Sequence, residues 1–257
     1  MRLSGRIGPQ DIIFLTAWIV VPPVLLLLLG GNFFVSSILY LVIPSAYFLS
    51  RNSRIAVRAI MVSLLSMPLM IVLDYLAFFN QAWAVPTIFS VRFFQFIPIE
   101  DFFFTFWAIF VVIAGRNYFF PHLSRIQVDW KRYIKSVLVI LVIFGIFLFL
   151  YNSSPESLTI PYYDAWLLVL GFIFPTLFLF LRESKYRYNL IQITIFSLLL
   201  MLPYELTANA LGFWTFPSDQ YLGMLRLLGQ SFPIEEFLEW MIFFPAAALA
   251  FNKWVAG

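Results

Sequence analysis

The chain of 257 residues contains no cysteine and a single histidine, His122. The absence of cysteine excludes disulfide bonds, thiolate nucleophiles and cysteine-ligated metals. One histidine, in a stretch rich in basic residues, argues against a histidine–serine triad and against a zinc site. The chain also lacks a glycine-rich phosphate loop, a dinucleotide-binding fingerprint and a D-D-x-x-D metal-binding pattern. We therefore predict that no metal is bound.

Charged residues are scarce as well. They make up 11% of the chain, whereas apolar residues make up 62%, and the mean hydropathy is +0.92. This composition is far from that of a soluble domain and indicates an integral membrane protein. The polar–apolar alternation of transmembrane strands is absent, so the spans are expected to be helices. The sequence predicts an all-α integral membrane fold without a separate soluble domain.

At roughly 20 residues per span, the apolar segments predict eight transmembrane helices. The first segment follows Arg2 and Arg6 and lacks a small-x-small cleavage site, so we interpret it as a span and not as a signal peptide. The predicted spans are 11–29, 33–49, 58–79, 97–114, 132–151, 162–181, 189–210 and 232–251.

Positive side chains fall almost entirely on one face of this topology. Only Arg92 and Arg226 lie on the other face; the remaining lysines and arginines lie in the two terminal tails and in the second, fourth and sixth connections. The positive-inside rule makes that face cytoplasmic, together with both termini. We expect a multi-pass protein of the plasma membrane. The pI of about 9.2 reflects this topology, so we expect no nucleic-acid partner.

The chain contains an internal repeat. Residues 95–102 read Q-F-I-P-I-E-D-F and residues 230–237 read Q-S-F-P-I-E-E-F, an offset of 135. At an offset of 131, the preceding region pairs Pro44 with Pro175, Arg51 with Arg182, Asp74 with Glu205, Trp83 with Trp214 and Pro86 with Pro217. The repeat predicts two halves, 1–128 and 129–257, with four helices each. An even number of spans per half makes the repeats parallel, related by an axis along the membrane normal.

Acidic side chains near the non-cytoplasmic helix ends are the candidate catalytic groups. An acidic group in hydrocarbon costs about 2.5–3.5 kcal/mol, so such groups usually face an interior cavity. Neighbours in a helix diverge by about 100°, so each motif is expected to direct one carboxylate into the cavity. Phe104 stands where the second half has Glu239, so the two sites differ. The candidates are Asp74, Glu100, Asp101, Glu205, Glu235, Glu236 and Glu239.

Matched residues beside the motifs complete the predicted site. They are Arg92 and Arg226 as charge partners, Gln95 and Gln230, and Trp83 and Trp214 as substrate contacts. Simpler interpretations stay open. The tryptophans suit a membrane-interface belt. Proline at a first helical position followed by an acid is ordinary helix-start chemistry.

Two four-span halves, each with P-I-E-[DE]-F at a helix start and an acid on the preceding helix, resemble the integral-membrane lycopene cyclases. The resemblance covers essentially the whole chain and implies the fused form of the two-subunit carotenoid cyclases. Its motif carries over to Pro98, Glu100 and Asp101 and to Pro233, Glu235 and Glu236.

The resemblance implies a cofactor-independent, acid-catalysed cyclisation of the ψ ends of lycopene to β-rings. Glu100 and Glu235 are expected to be the principal proton donors or relays. Asp74, Asp101, Glu205 and Glu236 would tune them or accept the departing proton. Aromatic ring faces would stabilise the intermediate cation. The expected partners are lycopene, membrane lipid and other enzymes of the carotenoid pathway.

Other functions fit the same residues. The family resemblance also covers cyclases of C50 carotenoids, and related carotenoid hydratases exist. Parallel four-span repeats with buried acids also describe a proton-coupled transporter, although the acids cluster towards one surface and not at midplane. A carrier of carotenoid or lipid is a further alternative. The absorption of the pigment discriminates among them, since a cyclase shifts it to shorter wavelength.

Overall fold

The computed structural model describes residues 8–53, 56–119, 128–182, 184 and 187–256. Eight helical runs account for most of these residues. They are α1 (Pro9–Leu29), α2 (Phe33–Arg51), α3 (Ala56–Phe79), α4 (Ile99–Phe119), α5 (Trp130–Ser153), α6 (Tyr163–Arg182), α7 (Arg187–Leu211) and α8, which joins Ile234–Glu236, Phe237–Phe243 and Phe244–Ala256. A 3₁₀ turn, Pro155–Leu158, follows α5.

Seven of these helices, α1 to α7, contain a stretch long and apolar enough to cross a membrane. The prediction of a helical, multi-pass membrane protein is confirmed at this level. The last helix, α8, is not among the seven, and its first turns carry Glu235, Glu236 and Glu239. The count of eight spans, the two parallel repeats, the cytoplasmic termini and the choice of membrane stay predictions. Several residues used in the topology argument lie outside the described residues: Arg2, Arg6, Arg54, His122, Arg125 and Lys185.

Two short β-hairpins in the described chain, which the sequence did not predict, lead into α4 and α8. Antiparallel β1 (Arg92–Phe93) and β2 (Ile97–Pro98) precede α4, and antiparallel β3 (Met224–Leu227) and β4 (Gln230–Pro233) precede α8. Each motif proline is therefore the last residue of a strand, and its helix begins at the following isoleucine. The predicted spans began two residues too early because the apolar hairpin residues are continuous with the apolar helix.

The turn of the second hairpin explains why its sequence signal is weak. Leu228 and Gly229 connect the two strands with φ angles of 49° and 82°. Two successive residues with positive φ are typical of the type I′ turn that matches strand twist. Leucine is rare in this conformation, so a sequence pattern built on Asn-Gly does not find the turn. Leu228 is 84% exposed, hence the turn points away from the packed helices.

Three helices contain a π-helical segment. These are Ile38–Val42 in α2, Leu168–Ile173 in α6 and Phe237–Phe243 in α8. The segments of α2 and α6 occupy matching places, each ending directly before the residue that precedes Pro44 or Pro175. Proline has no backbone N–H and crowds the preceding turn, so a locally widened helix relieves the contact. Segments of this kind are frequent at functional sites.

The two predicted halves contact one another reciprocally. The first helix of each half packs on the third helix of the other, α1 on α7 and α5 on α3, and α4 packs against α8 between them. Ala84 and Thr215, which are 131 positions apart, form an antiparallel bridge in which each backbone N–H donates to the other residue's carbonyl, at 2.9 Å and 2.8 Å. Self-complementary contact between equivalent residues is the pattern expected across a two-fold axis.

The absence of cysteine makes the predicted orientation directly measurable. We expect a cysteine introduced at exposed Ser184, between α6 and α7, to be labelled by a membrane-impermeant maleimide only after the membrane is opened. A cysteine at exposed Asp219, between α7 and α8, is expected to be labelled in intact cells. The unsubstituted chain is the control and gives no background. The opposite labelling pattern would reverse the predicted orientation.

Candidate functional site

A small cavity of about 50 Å³ lies at the end of the bundle where α4 and α8 begin, which we call the motif end. Four carboxyl side chains from both halves line it, together with an aromatic wall. Its lining residues are Phe33, Met70, Asp74, Trp83, Val85, Asp101, Phe104, Thr105, Met201, Tyr204, Glu205, Trp214, Phe216, Glu236 and Trp240. The acids of the two halves therefore meet in one cavity and do not form two separate sites.

The helix geometry explains how the four acids converge. Asp74 lies near the end of α3 and Glu205 near the end of α7, whereas Asp101 and Glu236 are each the third residue of α4 and α8. All four side chains are buried, with at most 7% of their surface exposed. Asp101 interacts electrostatically with Asp74, and Glu236 does so with Glu205. Each half thus contributes one close pair of acids.

The first acid of each motif has a different task from the second. Oε1 of Glu100 accepts hydrogen bonds from the backbone N–H groups of Ile88, at 2.6 Å, and Phe89, at 2.8 Å. The Thr87 hydroxyl donates to the same carboxylate at 3.1 Å. In the second half, Oε1 of Glu235 accepts from the backbone N–H of Leu222 at 2.5 Å. Both glutamates hold the connection that leads into their own motif.

The expected principal donors and the acids that line the cavity are different residues. The sequence pointed to Glu100 and Glu235 as the principal donors, but neither lines the cavity and both are bound to loop backbone. Asp101 and Glu236 face the cavity instead. Sequence reasoning expected one acid of each motif to turn inwards, and spacing alone did not identify which one. Oδ2 of Asp101 is buried without a hydrogen-bond partner among the described residues, so it is available to a ligand.

The second half carries an additional acidic group that sequence reasoning missed. Asp164, at the start of α6, is 4% exposed and interacts electrostatically with Glu235. Glu239 in α8 interacts with both. Within the described chain, Asp164 Oδ1, Glu235 Oε2 and Glu239 Oε1 have no hydrogen-bond partner. We call these three residues the second-half cluster.

Comparison of the two copies of the internal repeat could have identified Asp164 from the sequence. At an offset of 131, Asp164 corresponds to Phe33, just as Glu239 corresponds to Phe104 at an offset of 135. Phe33 and Phe104 contact each other, with ring centroids 5.3 Å apart. One apolar pair in the first half is therefore replaced by one acidic pair in the second. The predicted difference between the two halves thus involves two positions, one on each of two neighbouring helices.

Trp83 and Trp214 line the cavity and are not simply a belt at the membrane surface. Nε1 of Trp214 donates to Oε1 of Glu205 at 3.1 Å, and Asn209 Nδ2 donates to the same oxygen at 2.5 Å. The Tyr204 ring packs against Trp214, with centroids 5.5 Å apart, and stacks with Phe104 at 6.0 Å. These ring faces surround the acids with apolar, electron-rich surface.

The predicted arginines and glutamines belong to the hairpins. Arg92 donates to the backbone carbonyls of Phe96, at 2.5 Å, and Val85, at 3.3 Å. Arg226 lies on β3 opposite Ser231. Neither arginine forms an ion pair with a carboxylate among the described residues, so Arg92 acts on Asp101 only through its more distant charge. Gln95 is exposed in its hairpin turn and Gln230 begins β4, so both stand away from the cavity.

A tyrosine in the connection between α7 and α8 links the two halves at the motif end. The Tyr221 hydroxyl donates to the backbone carbonyl of Ala82 at 2.7 Å and accepts from the N–H of Ser218 at 3.2 Å. It thereby links the connections of the two halves. Burial raises the pKa of the Tyr221 phenol, and the nearby charges of Asp164, Glu236 and Glu235 raise it further. The hydroxyl therefore stays a hydrogen-bond donor at neutral pH.

The chemistry of the site rests on carboxyl groups and rings. Among the described residues, no group of three or more His, Cys, Asp or Glu side chains is placed to hold a metal ion. Comparisons with family models, with curated proteins and with solved structures gave no match to the chain. The resemblance to the lycopene cyclases therefore stays a prediction that rests on the doubled motif and on the organisation of the chain.

The structure separates a positioning acid from a cavity acid in each motif, and thermal stability can distinguish them. Replacing Glu100 with alanine leaves two backbone N–H groups without their charged acceptor. We expect a loss of about 1–3 kcal/mol in unfolding free energy. Thermal denaturation of the purified protein in detergent measures this, with exposed Glu156→Ala as control. An unchanged midpoint for Glu100→Ala would contradict the positioning role.

Proposed function

We propose that the chain is a cofactor-independent carotenoid cyclase that forms rings at the ψ ends of lycopene by acid catalysis. The observation that carries this proposal is the convergence of four buried carboxyl groups, Asp74, Asp101, Glu205 and Glu236, on one cavity walled by aromatic rings. Such a site combines a proton source with surfaces that stabilise a carbocation, which is what the reaction needs. The doubled P-I-E-[DE] motif supports the same proposal independently of the geometry.

Asp101 and Glu236 are the proton donors in this proposal. A general acid must keep its proton until the substrate binds, and burial beside other carboxyl groups favours the protonated form of an acid. Asp101 has Asp74 beside it, and Glu236 has Glu205 beside it. Glu100 and Glu235 contribute by fixing the start of the helix, and they do not touch the substrate.

The reaction that follows conserves every atom. The proton adds to the terminal carbon–carbon double bond and leaves a tertiary cation. The neighbouring double bond attacks this cation, a carbon–carbon bond closes the ring, and the positive charge moves into the ring. A carboxylate then removes a ring proton and restores a double bond. The rings of Tyr204, Trp214 and Trp240 face the cavity and stabilise the cation through their π-electrons. Exclusion of water from so small a cavity protects the cation from hydration.

The proposed topology gives this site its location. Two parallel four-helix repeats, 1–128 and 129–257, with cytoplasmic termini place the motif end at the non-cytoplasmic side of the plasma membrane. The reciprocal packing of α1 on α7 and α5 on α3 supports the repeat arrangement. The substrate is then a lipophilic carotenoid that enters from the membrane lipid. Other carotenoid-pathway enzymes would supply it.

Neutralising the cavity acids tests the proposal. We expect Asp101→Asn and Glu236→Gln each to lower ring formation by at least 10²-fold, the usual lower bound of a positioned acid–base group. Each variant is expressed in lycopene-accumulating cells, and the pigments are separated by chromatography and identified by absorption. The thermal denaturation midpoint of each variant verifies that it is folded.

The control for this experiment is Glu156→Gln, because Glu156 is an exposed acid that does not line the cavity. It is expected to form rings at the wild-type rate. If the wild-type protein leaves lycopene unchanged, the proposal that the chain is a lycopene cyclase is overturned. A pigment that gains a hydroxyl group would identify a hydratase, and rings formed only on a C50 precursor would change the substrate. A proton-coupled transporter would instead alter proton flux across liposomes and leave the pigment unchanged.

The second-half cluster suits a role in returning the proton from the carboxylate that accepts it to the donor Glu236, because the reaction consumes no proton overall. Glu236 interacts electrostatically with Glu239 and Asp164, both members of the cluster. The first half has Phe33 and Phe104 at these two places, so no equivalent chain of acids reaches Asp101 there. We assign this return of the proton to the second half and expect Glu236 to be reprotonated faster than Asp101.

This assignment predicts that two variants affect the first turnover and the steady phase unequally. Asp164→Asn and Glu239→Gln are expected to slow steady ring formation about tenfold while the first turnover stays near the wild-type rate. Stopped-flow mixing of the purified protein with lycopene in detergent separates the two phases. The control is Glu156→Gln, in which both phases stay unchanged. Equal slowing of the first turnover and of the steady phase would contradict a role in returning the proton.

A further inference from the structure

A second, larger cavity of about 290 Å³ lies deeper in the bundle, and the proposed chemistry does not use it. Parts of α1, α2, α4, α7 and α8 form its wall, so both halves contribute. Its lining residues are Leu15, Trp18, Tyr40, Leu41, Phe48, Ala108, Val111, Val112, Gly115, Arg116, Phe119, Gln192, Ile193, Phe196, Ser197, Leu200, Met201, Phe244 and Pro245. We call it the apolar cavity and the smaller one the acidic cavity.

The two cavities adjoin. Met201 lines both of them, and the Tyr40 ring of the larger cavity packs on the Tyr204 ring of the smaller one, with centroids 4.8 Å apart. The shared wall continues along α4, where Asp101 and Thr105 line the acidic cavity and Ala108 begins the apolar one. From Asp101 to Phe119, α4 rises by about 27 Å at 1.5 Å per residue. This length is close to the hydrocarbon thickness of a bilayer, about 30 Å.

The lining of the apolar cavity defines the chemistry of its occupant. Aliphatic and aromatic side chains dominate, and the Trp18 indole N–H is turned to the Tyr40 carbonyl at 3.0 Å, which leaves its ring to face the space. Charge enters only at the end remote from the acids, where Arg116 donates to Asn117 Oδ1 at 2.9 Å. An uncharged, mainly hydrocarbon ligand fits such a lining better than a charged solute does, since Gln192, Ser197 and Arg116 are its few polar side chains besides Tyr40 and Trp18.

We propose that the apolar cavity binds the polyene body of the substrate, which then lies along α4 with one end in the acidic cavity. This inference rests on the proposed function and adds the orientation of the substrate. Because both motifs serve the same acidic cavity, only one end of the substrate meets the acids in one binding event. A substrate with two ψ ends must leave, or turn round, before its second ring forms.

Each binding event conserves atoms and charge without a further reactant. One proton adds to the terminal double bond, one ring bond forms and one ring proton returns to a carboxylate, so the product is an isomer of the substrate. The product of the first event carries one ring. That ring is bulkier than the open end, so it has to pass Met201 or leave towards the lipid before the other end enters. The monocyclic carotenoid is therefore a free intermediate.

Filling the apolar cavity tests where the polyene binds, and the test does not depend on ring formation. The inactive double variant Asp101→Asn/Glu236→Gln is purified from lycopene-accumulating cells, and the lycopene bound per protein is measured by absorption. Adding Ser197→Phe, which places a ring in the cavity, is expected to reduce the bound pigment at least tenfold. The matched control is Leu199→Phe, because Leu199 lies on the same helix and is 56% exposed.

Equal retention of pigment by the Ser197→Phe and Leu199→Phe proteins would overturn the cavity assignment. Ala108→Phe fills the same space from α4 and repeats the test should Ser197→Phe fail to fold, as judged by its denaturation midpoint. If the wild-type chain forms no rings, the proposed reaction fails. A loss of bound pigment confined to the cavity-filling variants would still support the binding site.

The order of products tests the orientation. The purified wild-type protein in liposomes is given isotopically labelled lycopene, followed by an excess of unlabelled lycopene. We expect labelled monocyclic carotenoid to accumulate and its conversion to the bicyclic form to slow at least tenfold after the excess is added, because the intermediate must compete for rebinding. A product that stays monocyclic also agrees with the inference. Labelled bicyclic carotenoid that continues to form at the original rate would contradict it.

Discussion

The hydrogen bonds between the first acid of each motif and the backbone of the preceding connection determine the rest of the site. Glu100 binds the N–H groups of Ile88 and Phe89, and Glu235 binds that of Leu222. These bonds fix the rotation of α4 and α8 at their first turn. The next residue, about 100° further round the helix, is then directed at the cavity. The Glu100 carboxylate accepts two backbone hydrogen bonds, which compensate its burial, whereas Glu235 accepts one and its Oε2 has no partner among the described residues.

Reciprocal packing brings the two positioned acids together. The first helix of each half packs on the third helix of the other. The connections that lead into the two hairpins form a backbone bridge at Ala84 and Thr215. As a result, α4 and α8 lie side by side, and acids distant in sequence share a single cavity. The sequence predicted two related sites, one at each motif. A single shared cavity changes that interpretation, because a substrate longer than the cavity has to extend away from it.

Hydropathy and charge predicted the helices well, because the membrane imposes one length and one polarity on every span. Local conformation was less predictable. The hairpin turn at Leu228 requires a leucine with a positive φ angle, whereas the usual turn sequences have Asn, Asp or Gly at that position. The sequence did not show which acid of each motif points into the cavity. Adjacent residues of a helix point in directions about 100° apart, and the backbone N–H groups of the preceding connection determine which acid is held away from the cavity. Asp164 was missed because no motif in its own segment identifies it as a site residue. Only comparison with Phe33 in the other half reveals an unexpected acid.

The exchange of Phe33 and Phe104 for Asp164 and Glu239 also limits how far the two halves can share one task. The aromatic pair contributes rings to the acidic cavity, where a cation needs them, whereas the acidic pair lies beside Glu236 and carries exchangeable protons. Aromatic and acidic groups are therefore divided between the halves. In a single chain, a residue of one half can change without the equivalent residue of the other half changing. The surroundings of the shared cavity consequently differ on its two sides, and the two ends of a long ligand bound there would not meet equivalent groups.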